Sequence, residues 1–274
     1  MMRLVTLVLA AILVVLPQTV SAETKALIIA SNYEIADNPA IELANPLADA
    51  ILLEAALRRT SVNDVTVLRE PTAEDWEAGL EAFVAGLEPD DIALFYYAGH
   101  GFQVGGVNYF LTADGESLIS LDLIMQRLTS AARGAVVIVD ACRSNPFAMA
   151  DDMEEFRAVE VTGSTRQLVA LSVDDLADAA SGLAQLGNLR GLSAVVLFST
   201  EPGNVAEDGD TPGLGSPFAR AFSEQITRRQ SLDEAMRRTA VEVNMATDGR
   251  QSPWRQGDLP FNVFIAGMRA LPIP

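Results

Sequence analysis

The 274-residue chain contains one histidine and one cysteine, and it is poor in basic groups. Nineteen Lys and Arg stand against 37 Asp and Glu, a formal net charge of −18 at pH 7. Nucleic-acid phosphates need a basic footprint, so this charge argues against a nucleic-acid partner. It favours cationic substrates through long-range attraction, although acidity also serves solubility alone. With a single cysteine, no intramolecular disulfide can form. Beyond the N-terminus, no apolar run approaches the roughly 20 residues that a membrane span requires.

The first residues carry the one continuous apolar stretch. Arg3 supplies a positive start, Leu4 to Leu16 are apolar, and Val20-Ser21-Ala22 resembles a small-residue cleavage site. Residues 1–22 therefore read as a secretory signal peptide, with an uncleaved anchor as the alternative. Cleavage after Ala22 leaves one domain over 23–274 and predicts a periplasmic or secreted protein. In oxidising compartments paired cysteines become disulfides. An unpaired Cys142 is then either an inert buried residue or a thiol kept for its chemistry.

Apolar patterning predicts alternating strands and helices. Strands are expected at Lys25–Ala30, Asp64–Arg69, Ile92–Ala98, Gly134–Asp140, Ser193–Thr200 and Leu259–Ala266. Helices are expected over 45–60, 72–86, 122–130, 216–229 and 231–247. The second of these opens on Thr72 with Asp75 three residues later, a capping-box pattern. Between them, 102–111 read as a hairpin turning at Gly105-Gly106. Residues 148–190 interrupt the rhythm and read as an insertion, acidic at first and helix-like over 174–189. Alternating strands and helices imply an α/β fold with a mostly parallel sheet covered on both faces.

His100 closes one fully apolar strand and Cys142 closes another. Reactive groups gather at the carboxyl ends of parallel strands, and the 42 positions between the two allow one helical crossover between neighbours. A thiol becomes nucleophilic when an adjacent imidazole takes its proton or stabilises the thiolate. The developing oxyanion needs donors, and the backbone amides of Gly101 and Cys142 are the candidates. Each residue alone reads more simply as a buried small hydrophobe or a turn residue; their matching contexts favour a catalytic dyad.

At these residues the chain resembles the caspase-like cysteine peptidases, and within them the bacterial metacaspase-like branch. The likeness is carried by Tyr96-Tyr-Ala-Gly-His100-Gly101 and Asp140-Ala-Cys142-Arg-Ser-Asn-Pro-Phe147. It extends through Asn45-Pro-Leu-Ala-Asp49-Ala, Asp114, Ser199-Thr-Glu-Pro-Gly203, Ser216-Pro-Phe218 and Gln251-Ser-Pro-Trp254. The resemblance implies a three-layer α/β sandwich around a mostly parallel sheet of about six strands. It implies Cys142 as nucleophile, His100 as base, and the Gly101 and Cys142 amides as oxyanion hole. Asp140, two residues before the cysteine, implies an acidic pocket that accepts Arg or Lys before the scissile bond. A carboxylate there attracts a guanidinium or ammonium and rejects another carboxylate. The simpler role for Asp140 is to hydrogen-bond loop amides. Asp208 is a candidate second acidic wall.

Residues 148–190 exceed the connection usual in the resembled family and read as decoration, a lid, or a self-cleavage region with Arg157, Arg166 or Arg190 as sites. The sequence calls for no cofactor. The resemblance raises calcium, but Asp151, Asp152, Glu154 and Glu155 lack the glycine-punctuated spacing of a calcium loop, and a solvated acidic helix face is the simpler reading. The expected partners are protein or peptide substrates of basic character. Two other functions stand beside the endopeptidase: a non-catalytic scaffold of the same fold, disfavoured because both dyad residues are present, and a thiol redox sensor, disfavoured because no resolving cysteine exists.

Overall fold

The two apolar runs that end on His100 and Cys142 are adjacent parallel strands at the centre of the sheet. The computed structural model describes residues 22–62, 64–104, 106–142, 155–162, 165–172, 183, 186, 192–202 and 204–266. The main sheet contains β1 (Thr24–Ala30), β2 (Asp64–Arg69), the first part of β3 (Ile92–Val104), β6 (Gly134–Cys142), β9 (Ala194–Phe198) and β10 (Trp254–Asp258). Their order is β2-β1-β3-β6-β9-β10, parallel throughout except for β10. The expectation of six strands in a mostly parallel sheet is met.

Two apolar layers cover this sheet, as the continuous hydrophobicity of β3 and β6 requires. On one face Leu94, Tyr96, Val136 and Ile138 pack with residues of α1 (Pro46–Leu57), α4 (Pro217–Ile226) and α5 (Leu232–Ala246). On the other, Phe95, Tyr97, Val137 and Val139 pack with α2 (Ala73–Ala85) and α3 (Leu121–Ala131). The capping box forms as its pattern predicts: Asp75 N–H donates to Thr72 Oγ1 at 3.3 Å, while Thr72 N–H donates to the Asp75 carboxylate at 3.1 Å. From that start, Trp76, Leu80 and Phe83 bury one stripe of α2. Each such side chain removed from water contributes about 1.5–3 kcal/mol.

Three expectations need correction. β3 does not stop at Ala98. It runs through His100 to Val104, and from Gly101 onward it leaves the main sheet to pair antiparallel with β4 (Val107–Leu111). The kink falls at Gly99, whose φ is +154°. A Cβ there would lie 2.6 Å from Tyr97 Oη and 2.7 Å from Tyr33 Oη, so only glycine fits. Second, the last strand is Trp254–Asp258, not Leu259–Ala266. The polar Trp-Arg-Gln-Gly-Asp suits a solvated sheet edge, whereas Pro260 removes a donor from the following segment. There, Leu259, Phe261, Val263 and Ile265 pack onto the core without pairing.

Third, part of the 148–190 insertion is β structure. β7 (Glu155–Thr162) and β8 (Thr165–Ser172) form an antiparallel hairpin, and β7 pairs parallel with the short β5 (Ser117–Ser120). The arm β3-β4-β5-β7-β8 thus grows out of the central strand just past the histidine. Arg157 and Arg166 lie within this hairpin; Arg190 and all of 174–189 except Leu183 and Leu186 are outside the described residues.

Candidate active site

The register places His100 directly opposite Cys142 where β3 and β6 end their pairing. The strands are parallel neighbours, so the two residues named from sequence are brought together by the main-chain ladder itself. The crossover between them holds the β4–β5 arm and α3.

His100 is only 4% exposed, and three hydrogen bonds and a ring contact fix it. Its Nε2 lies 2.7 Å from the carbonyl oxygen of Ile41. A carbonyl only accepts, so Nε2 carries the proton and Nδ1 keeps its lone pair. Nδ1 has no hydrogen-bond partner among the described residues. The backbone N–H of His100 donates to Tyr33 Oη at 2.6 Å, and the Tyr33 ring lies 4.6 Å from the imidazole. Tyr97 Oη donates to the His100 carbonyl at 2.8 Å, leaving Tyr33 to donate in the 2.9 Å contact between the two hydroxyls. Burial pushes the imidazole pKa down to about 4, opposed by the bond to Ile41. At neutral pH the ring is therefore a neutral base with one free lone pair.

Two residues upstream of Cys142, Asp140 faces a different environment. Its carboxylate accepts from Ser216 Oγ at 2.7 Å and from Tyr96 Oη at 3.1 Å. Ser216 also donates its backbone N–H to Asp49 Oδ1 at 2.6 Å, so one residue ties two buried carboxylates together. Both acids are nearly inaccessible, at 2% for Asp49 and 7% for Asp140. Asp208 is half-buried beside them. It accepts from Ala44 N–H at 2.8 Å and repels both carboxylates. Burial raises the Asp140 pKa to about 6, against the bonds from Ser216 and Tyr96. Asp49 rises well above the carboxylate range, first by burial and then through the charge on Asp140. Among the described residues, none of the three acids forms a salt bridge with Lys or Arg.

The loops that carry these groups are cross-tied. Asn45, at the mouth of α1, accepts from Gly213 N–H (2.8 Å) and Gly215 N–H (3.2 Å) and donates to the Asp208 carbonyl at 2.7 Å. Gln251 donates to the Ser199 carbonyl at 2.8 Å and accepts from Glu207 N–H at 3.1 Å. Asn45, Ser199, Ser216 and Gln251, which carried the sequence likeness outside the two main motifs, thus meet around the acidic cluster.

Asp49 had no assigned role in the sequence. Its signal was positional: it sits on the stripe of α1 that buries Pro46, Ala50, Leu53, Ala56 and Leu57, where an acid has no reason to be unless it serves a site. Gly101, the candidate oxyanion donor, pairs with Phe110 of β4 where β3 leaves the main sheet. Among the possible calcium ligands, Glu155 opens β7, while Asp151, Asp152 and Glu154 are outside the described residues. Among the described residues, no group of three His, Cys, Asp or Glu is arranged to hold a metal ion, and no helix is long and apolar enough to cross a membrane.

Comparison with known proteins agrees with this architecture. The fold is similar to that of caspase-1 from Spodoptera frugiperda, with a TM-score of 0.60 at 16% identity, over 90% of this chain and 93% of that one. No curated protein sequence matches the chain. The family model described as "Caspase domain" matches residues 23–264, nearly the whole described region. The chain therefore belongs to the caspase-domain family, a family of cysteine peptidases.

Proposed function

We propose that the protein is a cysteine endopeptidase that cleaves after Arg or Lys, with Cys142 as nucleophile and His100 as base. The observation that carries this is the pairing of His100 with Cys142 in the β3–β6 register, with Nε2 bonded to Ile41 and the Nδ1 lone pair left over. Nδ1 takes the thiol proton as sulfur attacks the scissile carbonyl carbon. The resulting imidazolium returns that proton to the departing amine, and water then hydrolyses the thioester with the same imidazole as base. The backbone amides of Gly101 and Cys142 supply the donors for the oxyanion.

The acidic cluster supports the choice of substrate. Asp49, Asp140 and Asp208 repel one another in a poorly hydrated place without a cationic partner among the described residues, an arrangement that a guanidinium or ammonium relieves. A substrate carboxylate would worsen it. The mature enzyme, on the same proposal, starts after Ala22 and acts outside the cytoplasm, which N-terminal sequencing of exported protein checks. Turnover of fluorogenic peptides ending in Arg or Lys by purified protein tests the activity, with Cys142→Ala as control. Equal rates in the two proteins would overturn it.

A further inference from the structure

His100 is held by a loop, and the loop in turn is held by a residue outside both sequence motifs. Ile41 O, which bonds the imidazole, and Tyr33, whose Oη accepts the His100 backbone N–H and whose ring lies against the imidazole, both belong to residues 31–45. At the start of that loop, Asn32 N–H donates to Glu70 Oε1 at 2.7 Å and Tyr33 N–H donates to Glu70 Oε2 at 3.1 Å. One carboxylate therefore bridges two successive backbone amides, one oxygen to each.

Both partners are in unusual backbone conformations. Tyr33 has φ of 68° and Glu70 has φ of 49°, two of the three non-glycine residues with positive φ among those described. A side chain larger than glycine costs about 1–2 kcal/mol in this region, so something must hold it there. A left-handed residue turns consecutive N–H groups toward one side, which creates a concavity for an anion. Glu70 fills it from the carboxyl end of β2, anchored by its own N–H to the Ala30 carbonyl at 3.0 Å. With Tyr33 so fixed, its ring lies against His100 and its hydroxyl accepts the His100 N–H. From Asn32, the carbonyl accepts from Leu43 N–H at 2.9 Å and Oδ1 accepts from Leu47 N–H at 3.0 Å. These bonds close the loop around Ile41.

We propose that Glu70 is a positioning residue of the peptidase: its carboxylate clamps the Asn32 and Tyr33 amides, and through Tyr33 and Ile41 it sets the tautomer and orientation of His100. The inference rests on the proteolytic reading above, but it can be tested apart from it. Gln in place of Glu retains shape yet offers one acceptor to two amides and turns an NH2 toward the other. The loop then loses its anchor, Ile41 O moves from Nε2, and Nδ1 no longer points one way. Displacement of a catalytic group by about 1 Å costs on the order of a hundredfold in rate.

The chain has a single histidine, so its imidazole gives one unambiguous set of NMR signals. In the wild type, these should report the Nε2–H tautomer and a pKa well below the ordinary value of about 6.5. In Glu70→Gln, the signals should show mixed tautomers and a pKa moving back toward that value. In the same variant kcat on an Arg peptide should fall about tenfold to a hundredfold with KM within about twofold, and Glu70→Asp should restore part of it. If Glu70→Gln folds poorly, Tyr33→Phe tests the far end of the same linkage: it keeps the ring but removes the acceptor of the His100 N–H, and the tautomer should again mix. An unchanged histidine spectrum and unchanged kcat in a folded Glu70→Gln variant would overturn the clamp, as would a fall in thermal stability with neither readout altered. A wild-type protein without peptidase activity whose histidine tautomer still depends on Glu70 would overturn the proteolytic reading and leave the clamp standing.

Discussion

His100 and Asp140 sit on adjacent strands at the same edge of the sheet, both buried, and burial acts on them in opposite senses. Among the described residues, the polar groups bonded to His100 are neutral: the Ile41 carbonyl and the hydroxyls of Tyr33 and Tyr97. Desolvation there keeps the imidazole uncharged and basic. Around Asp140 lie two further carboxylates, and desolvation there makes a negative charge costly. One site thus holds a neutral base, and the other is short of a positive charge. In the proposed enzyme, the first makes the reaction and the second selects the bond.

Substitutions on either side separate the two roles. The largest effect is expected from Cys142→Ala, which should reduce hydrolysis of every peptide to background. Asp140→Asn should lower kcat/KM for Arg peptides by about a hundredfold, the cost of removing one partner of a desolvated charge pair. Alkylation of Cys142 by a small reagent should persist. An Asp140→Asn enzyme that still prefers Arg would break the comparison.

The same variant should be more stable than the wild type. The raised pKa of Asp140 means that the fold binds its proton more tightly than the unfolded chain does. That advantage is complete below about pH 4 and lost as pH rises through about 6. Asp140→Asn should therefore stabilise the protein by on the order of 3 kcal/mol at pH 7.5 and by almost nothing near pH 4. Denaturant melts at the two values check this. His100 has the opposite sign: its lowered pKa gives stability that is present above about 6.5 and lost as pH falls through about 4.

Activity should follow the less acidic of the two groups. His100 is neutral above about pH 4, whereas Asp140 ionises near 6, so kcat/KM for Arg peptides should rise through about pH 6. In Asp140→Asn, the residual activity should lose that limb. The smallest effect is expected from Asp208→Asn, since Asp208 is half-buried and acts on the pair through charge alone. A few-fold loss in kcat/KM for Arg peptides with kcat nearly unchanged would sharpen its part in the cluster.

How much of this was readable from residue order depends on how local each cause is. Strands β3 and β6 were legible because unbroken apolar runs, Ile92–Ala98 and Ala135–Val139, have few other uses in a chain of this acidity. The 42 positions between His100 and Cys142 allowed their pairing, and the register makes it. The capping box at Thr72 and the helix starts at Ser216 and Ser231 were equally local. What was missed depends on distant partners. Asp49 and Asp140 are 91 positions apart and share Ser216 only in the fold. Glu70 meets Tyr33 across two parallel strands, with no local pattern to announce it. The exchange of Leu259–Ala266 for Trp254–Asp258 as the last strand has a similar cause. Apolar content marked the segment that packs on the core, while the edge strand is polar because one side of it faces solvent. The β7–β8 hairpin went unrecognised because β7 emerges from an acidic run and β8, with consecutive Leu168-Val-Ala-Leu171, lacks the alternation that marks a half-buried strand.

The most direct test of the central claim is a cleavage profile of the purified protein on a peptide library varied at the residue before the scissile bond, run with and without calcium and beside Cys142→Ala. The dyad and the acidic cluster together predict cleavage after Arg and Lys alone, absent from Cys142→Ala. Cleavage after Asp, or equal cleavage by the Cys142→Ala protein, would contradict it.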